Sequence, residues 1–118
     1  MAYIGILTTE EDLTPVRVPK DEKACRKSIE RMLSASLLDL VPTVKPQQYA
    51  LLVDDEGSMN RKPVNRIATF LYARNAEHVL LGDAAIVRMN PITRDWEPFD
   101  DLKECSAALL ELMQVILA

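Results

Sequence analysis

The sequence predicts an α+β fold: a single small domain over residues 1–118, with a mixed or antiparallel sheet of five to six strands, two main helices and one short helix. Three observations carry that expectation. Short runs of strand formers such as "AYIGIL" and "QYALLVDDEG" are separated by turn residues. Two longer segments, 21–36 and 101–117, instead repeat their apolar residues at helical spacing. A chain of 118 residues, 48% of them hydrophobic and 27% charged, can also bury one core without metal or disulfide support.

Residues 2–7 read as the first, mostly buried strand. "TTEEDLTP" turns the chain, and "PVRVP" (15–19) returns as a short strand whose flanking prolines place it at a sheet edge. Asp21 is the expected N-cap of an amphipathic helix with Cys25, Ile29, Met32, Leu33 and Ser36 on one face. Residues 37–44 lead back into the sheet, with Pro42 marking an edge or a break. Leu51, Leu52 and Val53 form the apolar run of the next strand, closed by a turn at Gly57.

"PVNRIATFLYARN" supplies the short helix. Pro63 suits its first turn, Val64, Ile67, Ala68 and Leu71 face the core, and it ends near Asn75. Residues 78–89 are extended structure broken at Gly82–Asp83, as one strand or two. Asp101 and Glu104 make a D-x-x-E capping box ahead of a helix from about 102 to 117. Leu102, Cys105, Leu109, Leu112 and Ile116 follow its core stripe. Leu110, Val115 and Leu117 lie off that stripe, so the helix must bury more than one face. Either it lies deep in the domain or it packs on a second copy, in which case those three residues are the candidate interface of a homo-oligomer.

Composition narrows the chemistry. Aromatics are 5%, so the core is aliphatic, and the net charge of −4 argues against general nucleic-acid binding. No signal segment opens the chain and no apolar run approaches the roughly 20 residues that span a bilayer, so a cytoplasmic protein without membrane contact is expected. Cys25 and Cys105 fit no C-x-x-C pattern and occupy apolar helix positions, which suits buried reduced thiols rather than a disulfide.

A nucleophilic triad would have to recruit His78, the one histidine, and no serine or cysteine sits in a nucleophile elbow. A structural histidine is the simpler reading. Asp54, Asp55 and Glu56 are adjacent, point in different directions at a strand end and lack calcium-loop spacing, so they read as a solvated turn. Zinc would lack ligands. Three glycines, Gly5, Gly57 and Gly82, cannot build a G-x-G-x-x-G or Walker A loop. No catalytic residue, metal or cofactor is therefore assigned. Trp96 and Phe99 are expected to act together as a hydrophobic anchor before the last helix.

The oddest stretch lies between Asn60 and Asn75, where Arg61, Lys62, Arg66 and Arg74 occur without a single acid. That segment carries +4 against a whole-chain charge of −4, so the rest sums to −8. On the predicted short helix Arg66, Phe70 and Arg74 share a face. Arg61 and Lys62 sit at its N-terminus, where cations are unfavourable unless an anion is present. Guanidinium groups, backbone N–H groups and an aromatic ring are the parts that hold a nucleotide phosphate and base. The plainer alternative is scaffolding, in which these cations neutralise Asp54, Asp55, Glu56 and Glu77 in surface pairs worth at most about 1 kcal/mol each.

"ALLVDDEG", "PVNRIATFLY" and "LLGDAAIV", within the stretch from Tyr49 to Met89, together resemble the domain-of-unknown-function family 3846, small proteins of phages, plasmids and their bacterial hosts. The resemblance covers the middle third of the chain. It implies a strand ending in an acidic Gly turn, a Pro-x-Asn segment with a short helix, then Gly-Asp and an apolar strand. It carries over onto Pro63, Asn65, Ala68, Gly82 and Asp83, with the Asn65 amide holding the turn before the short helix. No catalytic residues come with it. The expected function is accordingly a non-enzymatic binding protein of phage or mobile-element type that engages and modulates a host protein. The alternative is a small-ligand module that sequesters a phosphate-bearing nucleotide signal on the 61–74 segment.

Overall fold

Alternation along the strands decides the architecture. In the computed structural model, which describes residues 1–43, 48–72 and 79–117, the strands are β1 (Ala2–Leu7), β2 (Leu13–Val18), β3 (Leu38–Pro42), β4 (Tyr49–Asp54), β5 (Ala84–Met89) and β6 (Trp96–Glu97). The helices are α1 (Glu22–Met32), α2 (Arg66–Tyr72) and α3 (Leu102–Leu117). The sheet runs β2-β1-β5-β4-β3, with β6 added on β5. Every pairing is antiparallel, which resolves the mixed-or-antiparallel alternative.

Because successive side chains point to opposite faces, the central strands feed two cores. Ala2, Ile4, Ala50, Leu52, Ala85 and Val87 pack with Cys25, Ile29 and Leu33 of the α1 segment. Leu7, Leu51, Val53, Ala84 and Ile86 pack on the other side with Ala68 and Leu71 of α2 and Cys105, Ala108, Leu109 and Leu112 of α3. A strand covered on both faces needs no polar alternation, which is why β4 and β5 read as continuous apolar runs. Gly5 marks where α3 crosses β1. A Cβ there would stand 2.5 Å from Leu109 Cδ2 and 3.3 Å from Ile86 Cβ, so the close approach depends on its missing side chain.

The edges are β2 and β3. Pro15 lies within β2 and Pro42 ends β3, positions where a missing N–H disturbs no ladder on the outer side. Asp21 caps α1 by accepting from the Ala24 N–H at 3.0 Å. That helix closes at Met32 with Ser34 at φ 50°, so Ser36 is exposed beyond it rather than on its core face. Asp101 caps α3 through the Glu104 N–H at 2.7 Å. The Glu104 carboxylate reaches back to the Asp100 N–H at 3.3 Å, one residue before the reciprocal partner of a capping box. Leu102, expected in the core, is exposed at the first turn.

Two further expectations change and one open alternative is resolved. The short helix begins at Arg66, not Pro63, because the Asn65 side chain accepts from the Ala68 N–H and caps it. Pro63 and Val64 therefore precede the helix, and Val64 is exposed in a single bridge to Leu81. Its expected end near Asn75, and His78, lie outside the described residues. After Gly82, at φ 82°, the chain forms one strand, β5. Trp96 and Phe99 do not form one anchor. Phe99 is buried on the α3 side, bonded to Tyr3 through both backbone groups at 2.8 and 2.9 Å. Trp96 packs on the α1 side, with the Arg26 guanidinium 5.3 Å from its ring centre.

Candidate functional site

Asp54 ends β4, on the face that α1 covers, and is buried with its side chain 1% exposed. The solvated turn expected for the acidic trio therefore fails at its first residue, while Asp55 is exposed. The carboxylate is fully engaged. Oδ1 accepts from the Glu56 N–H at 2.9 Å, and Oδ2 accepts from Asn60 Nδ2 at 2.9 Å and meets Lys62 Nζ at 2.8 Å. Burial alone would raise the Asp54 pKa. The hydrogen bonds from Lys62, Asn60 and Glu56, with the Lys62 charge, outweigh it and hold the group below the ordinary carboxylate value.

Lys62 does a second job. Its ammonium also donates to Leu33 O at 2.5 Å and Ser34 O at 3.0 Å, the carbonyls that close α1. A cation at a helix C-terminus satisfies groups that have no intrahelical partner and complements the helix dipole. Gly82 packs on the lysine stem, where a Cβ would lie 2.7 Å from Lys62 Cδ. One lysine therefore ties the β4 turn, the end of α1 and the approach to β5 together.

A few residues on, Asn65 is fully buried and uses its whole amide. Nδ2 donates to Leu7 O at 2.9 Å and Gly82 O at 3.0 Å, and Oδ1 accepts from the Ala68 N–H at 3.0 Å. The backbone joins in: the Asn65 N–H donates to Leu80 O at 2.8 Å and the Gly82 N–H to Pro63 O at 2.8 Å. Thr69 completes the knot, its hydroxyl donating to Asn65 O at 2.8 Å and accepting from the Leu80 N–H at 2.9 Å. Asp83 Oδ1 accepts from the Thr9 N–H at 3.0 Å, fixing the loop after β1. Pro63, Asn65, Ala68, Gly82 and Asp83, singled out from the sequence, thus meet at one place.

The other candidate ligand groups are distributed differently. Arg61, at φ 55°, and Arg66 are exposed, and neither has an ion pair among the described residues. Phe70 is 53% exposed. Arg74 lies outside the described residues, as does Glu77. Arg61 and Lys62 precede α2 by several residues instead of standing in its first turn, and Asn65 occupies the cap.

No family model, curated protein or solved structure matches the chain.

A second polar cluster lies on the α3 side of β5. Arg88 bonds Glu97 at 2.9 Å, Asp100 at 3.2 Å and Glu104, linking β5, β6 and α3. Beside it Tyr49 donates to Glu111 Oε2 at 2.7 Å. Nothing in the sequence spacing pointed to either contact, since each joins different elements. The thiols are buried and unbonded to each other, and burial, helped by Glu104, pushes Cys105 up to about 11, which disfavours its thiolate. Among the described residues no buried side-chain nitrogen or oxygen lacks a partner, and no cluster of three metal-ligating groups occurs. No described helix is long and apolar enough to cross a membrane.

The outer face of α3 is different in character. Leu110 is 58% and Leu117 79% exposed, with Met113 exposed between them. Val115, grouped with them on sequence, instead packs half-buried on the core beneath α3. The exposed stripe is Leu110, Met113 and Leu117.

Proposed function

We propose that this chain acts by binding rather than catalysis, as a self-associating protein whose α3 outer faces pair with each other. The apolar stripe on α3 carries the reading. Leu110, Met113 and Leu117 recur at the three-and-four spacing by which helices pair, and contiguous exposed apolar residues mark contact surfaces. Lys103 lies seven residues before Leu110 and fourteen before Leu117, so at helical period the three share a face. In an antiparallel pair centred on Leu110, each Lys103 comes opposite the partner's last helical turn. That turn contains no basic residue of its own, and a cation there is favourable. The arrangement is self-complementary, as a two-fold interface requires.

The polar clusters support binding over catalysis in a specific way: Asp54, Lys62, Asn65 and Arg88 each spend their hydrogen bonds on holding elements together. The resemblance of the middle third supports the phage or mobile-element setting, in which the assembled protein engages and modulates a host protein through surfaces outside α3. Leu110→Lys with Met113→Lys is expected to convert a native-mass dimer into a folded monomer with an unchanged circular dichroism spectrum. A wild-type monomer at tens of micromolar, or a double variant that remains dimeric, removes the interface.

One observation favours the small-ligand module as a second reading. Arg66 and Phe70, four residues apart on α2, present a guanidinium and a ring to solvent on one face. Equilibrium dialysis with ATP and cyclic AMP tests it. Saturable binding that Arg61→Glu with Arg66→Glu abolishes, with the fold intact, is the expected result for that module. Absent or unchanged binding retires it.

A further inference from the structure

The geometry points to a binding groove for a small amphipathic anion on the α1 side of the sheet, at the end of β3, the start of β4 and the end of β5. The groove has a volume of about 640 Å³, in the range of small-molecule sites. Leu40, Pro42, Ala50, Met89 and Pro91 give it an apolar floor and wall. Its polar lining is confined to Gln48, Asn90 and Arg94, so among the described residues it holds one cation and no carboxylate.

How Arg94 is held matters as much as its charge. It sits in the β5–β6 turn at φ 64°, a left-handed conformation that favours glycine and costs a side-chain-bearing residue about 1–2 kcal/mol. The turn is braced around it. The Arg94 N–H donates to Asn90 O at 2.9 Å, and the Asn90 N–H to Asp95 O at 2.8 Å. Asn90 Oδ1 accepts from the Ile92 and Thr93 N–H groups at 2.9 and 3.1 Å. Hairpin loops of this kind take Gly at the left-handed position. Here an arginine occupies it on the rim of an apolar groove, in a protein of net charge −4. An apolar chain or ring on Leu40, Ala50 and Met89 with an anionic head at Arg94 matches both features. A purely apolar guest would leave the cation unused, and a purely polar one would leave the floor wetted.

The test uses the whole chain, with octanoate and octanol as probes below their aggregation limits, followed by amide chemical shifts. Octanoate is expected to bind saturably, shifting Leu40, Ala50, Met89 and Asn90, and to bind more tightly than octanol. Arg94→Gly removes the cation while relieving the left-handed backbone, so it should be at least as stable as the wild type. It should weaken octanoate about tenfold, the scale of one charge-assisted hydrogen bond, and leave octanol unchanged. Octanoate binding that survives Arg94→Gly at full strength, equal affinity for the two probes, shifts that map to α3 instead, or no saturable binding would each overturn the proposal.

Discussion

Lys62→Met is expected to lower folding stability by about 3–5 kcal/mol, the range for removing one partner of a buried ion pair. The size follows from what is left behind. Asp54, with its side chain 1% exposed, would keep its charge without its cation, and Leu33 O and Ser34 O would lose their donor. Asp54→Asn with Lys62→Met should lose less than the single change, because no unpaired buried charge remains and the amide oxygen can still accept from the Glu56 N–H. Urea midpoints at neutral pH measure all three proteins.

The pH dependence has a definite sign. The Asp54 pKa is depressed in the folded chain, so its stabilisation is complete above the unfolded carboxylate value of about 3.9 and disappears as pH falls through the lower folded value. The gap between wild type and Asp54→Asn should therefore narrow below about pH 4. A Lys62→Met cost under about 1 kcal/mol would mean that the pair behaves as a surface pair after all.

The sequence offered Asp54 as one of several acids that the basic segment could neutralise in surface pairs, and the structure pairs it with Lys62 in a buried one. One of the segment's cations proves to be a strut, and the residue that makes it so is an aspartate on the far side of a turn. The hint was present in β4. Ala50, Leu52 and Asp54 fall at the same parity, and the first two lie on the face that α1 buries. An acid in that series needs a partner, but sequence spacing cannot say that the partner lies eight residues later or that it also closes a helix. The five longer strands, helix caps and edge prolines were legible because turn chemistry and local hydrogen bonding set them, whereas β6 was missed. Asp21 and Asp101 each act within three residues. Helix faces were less so. Leu102 and Val115 exchanged their expected environments because α3 meets the sheet where Leu109 lies on Gly5, a contact between residues about a hundred positions apart. The Arg88 cluster was illegible because it joins different elements.

Asn65→Ala is expected to cost about 2–4 kcal/mol, the sum of a lost N-cap of about 1 kcal/mol and two lost buried hydrogen bonds to carbonyls at about 0.5–1.5 kcal/mol each. Those carbonyls belong to Leu7 and Gly82, at the end of β1 and the approach to β5, so the loss falls where the central strands are joined. Asn65→Asp separates the two contributions. A carboxylate keeps the acceptor for the Ala68 N–H but sets a charged oxygen against Leu7 O and Gly82 O. Being buried and facing two carbonyl oxygens, it is disfavoured in its charged form, so its folded pKa lies above the unfolded value. Stability of this variant should consequently rise as pH falls from 7 toward 4, opposite to the trend expected from Asp54. At neutral pH it should be at least as unstable as Asn65→Ala, despite retaining the cap. If Asn65→Asp is instead nearly as stable as the wild type, the cap alone matters and the amide's two donor bonds contribute little. If both variants are mild, α2 and the central strands are joined chiefly by the backbone bonds from Asn65 to Leu80 O and from Gly82 to Pro63 O.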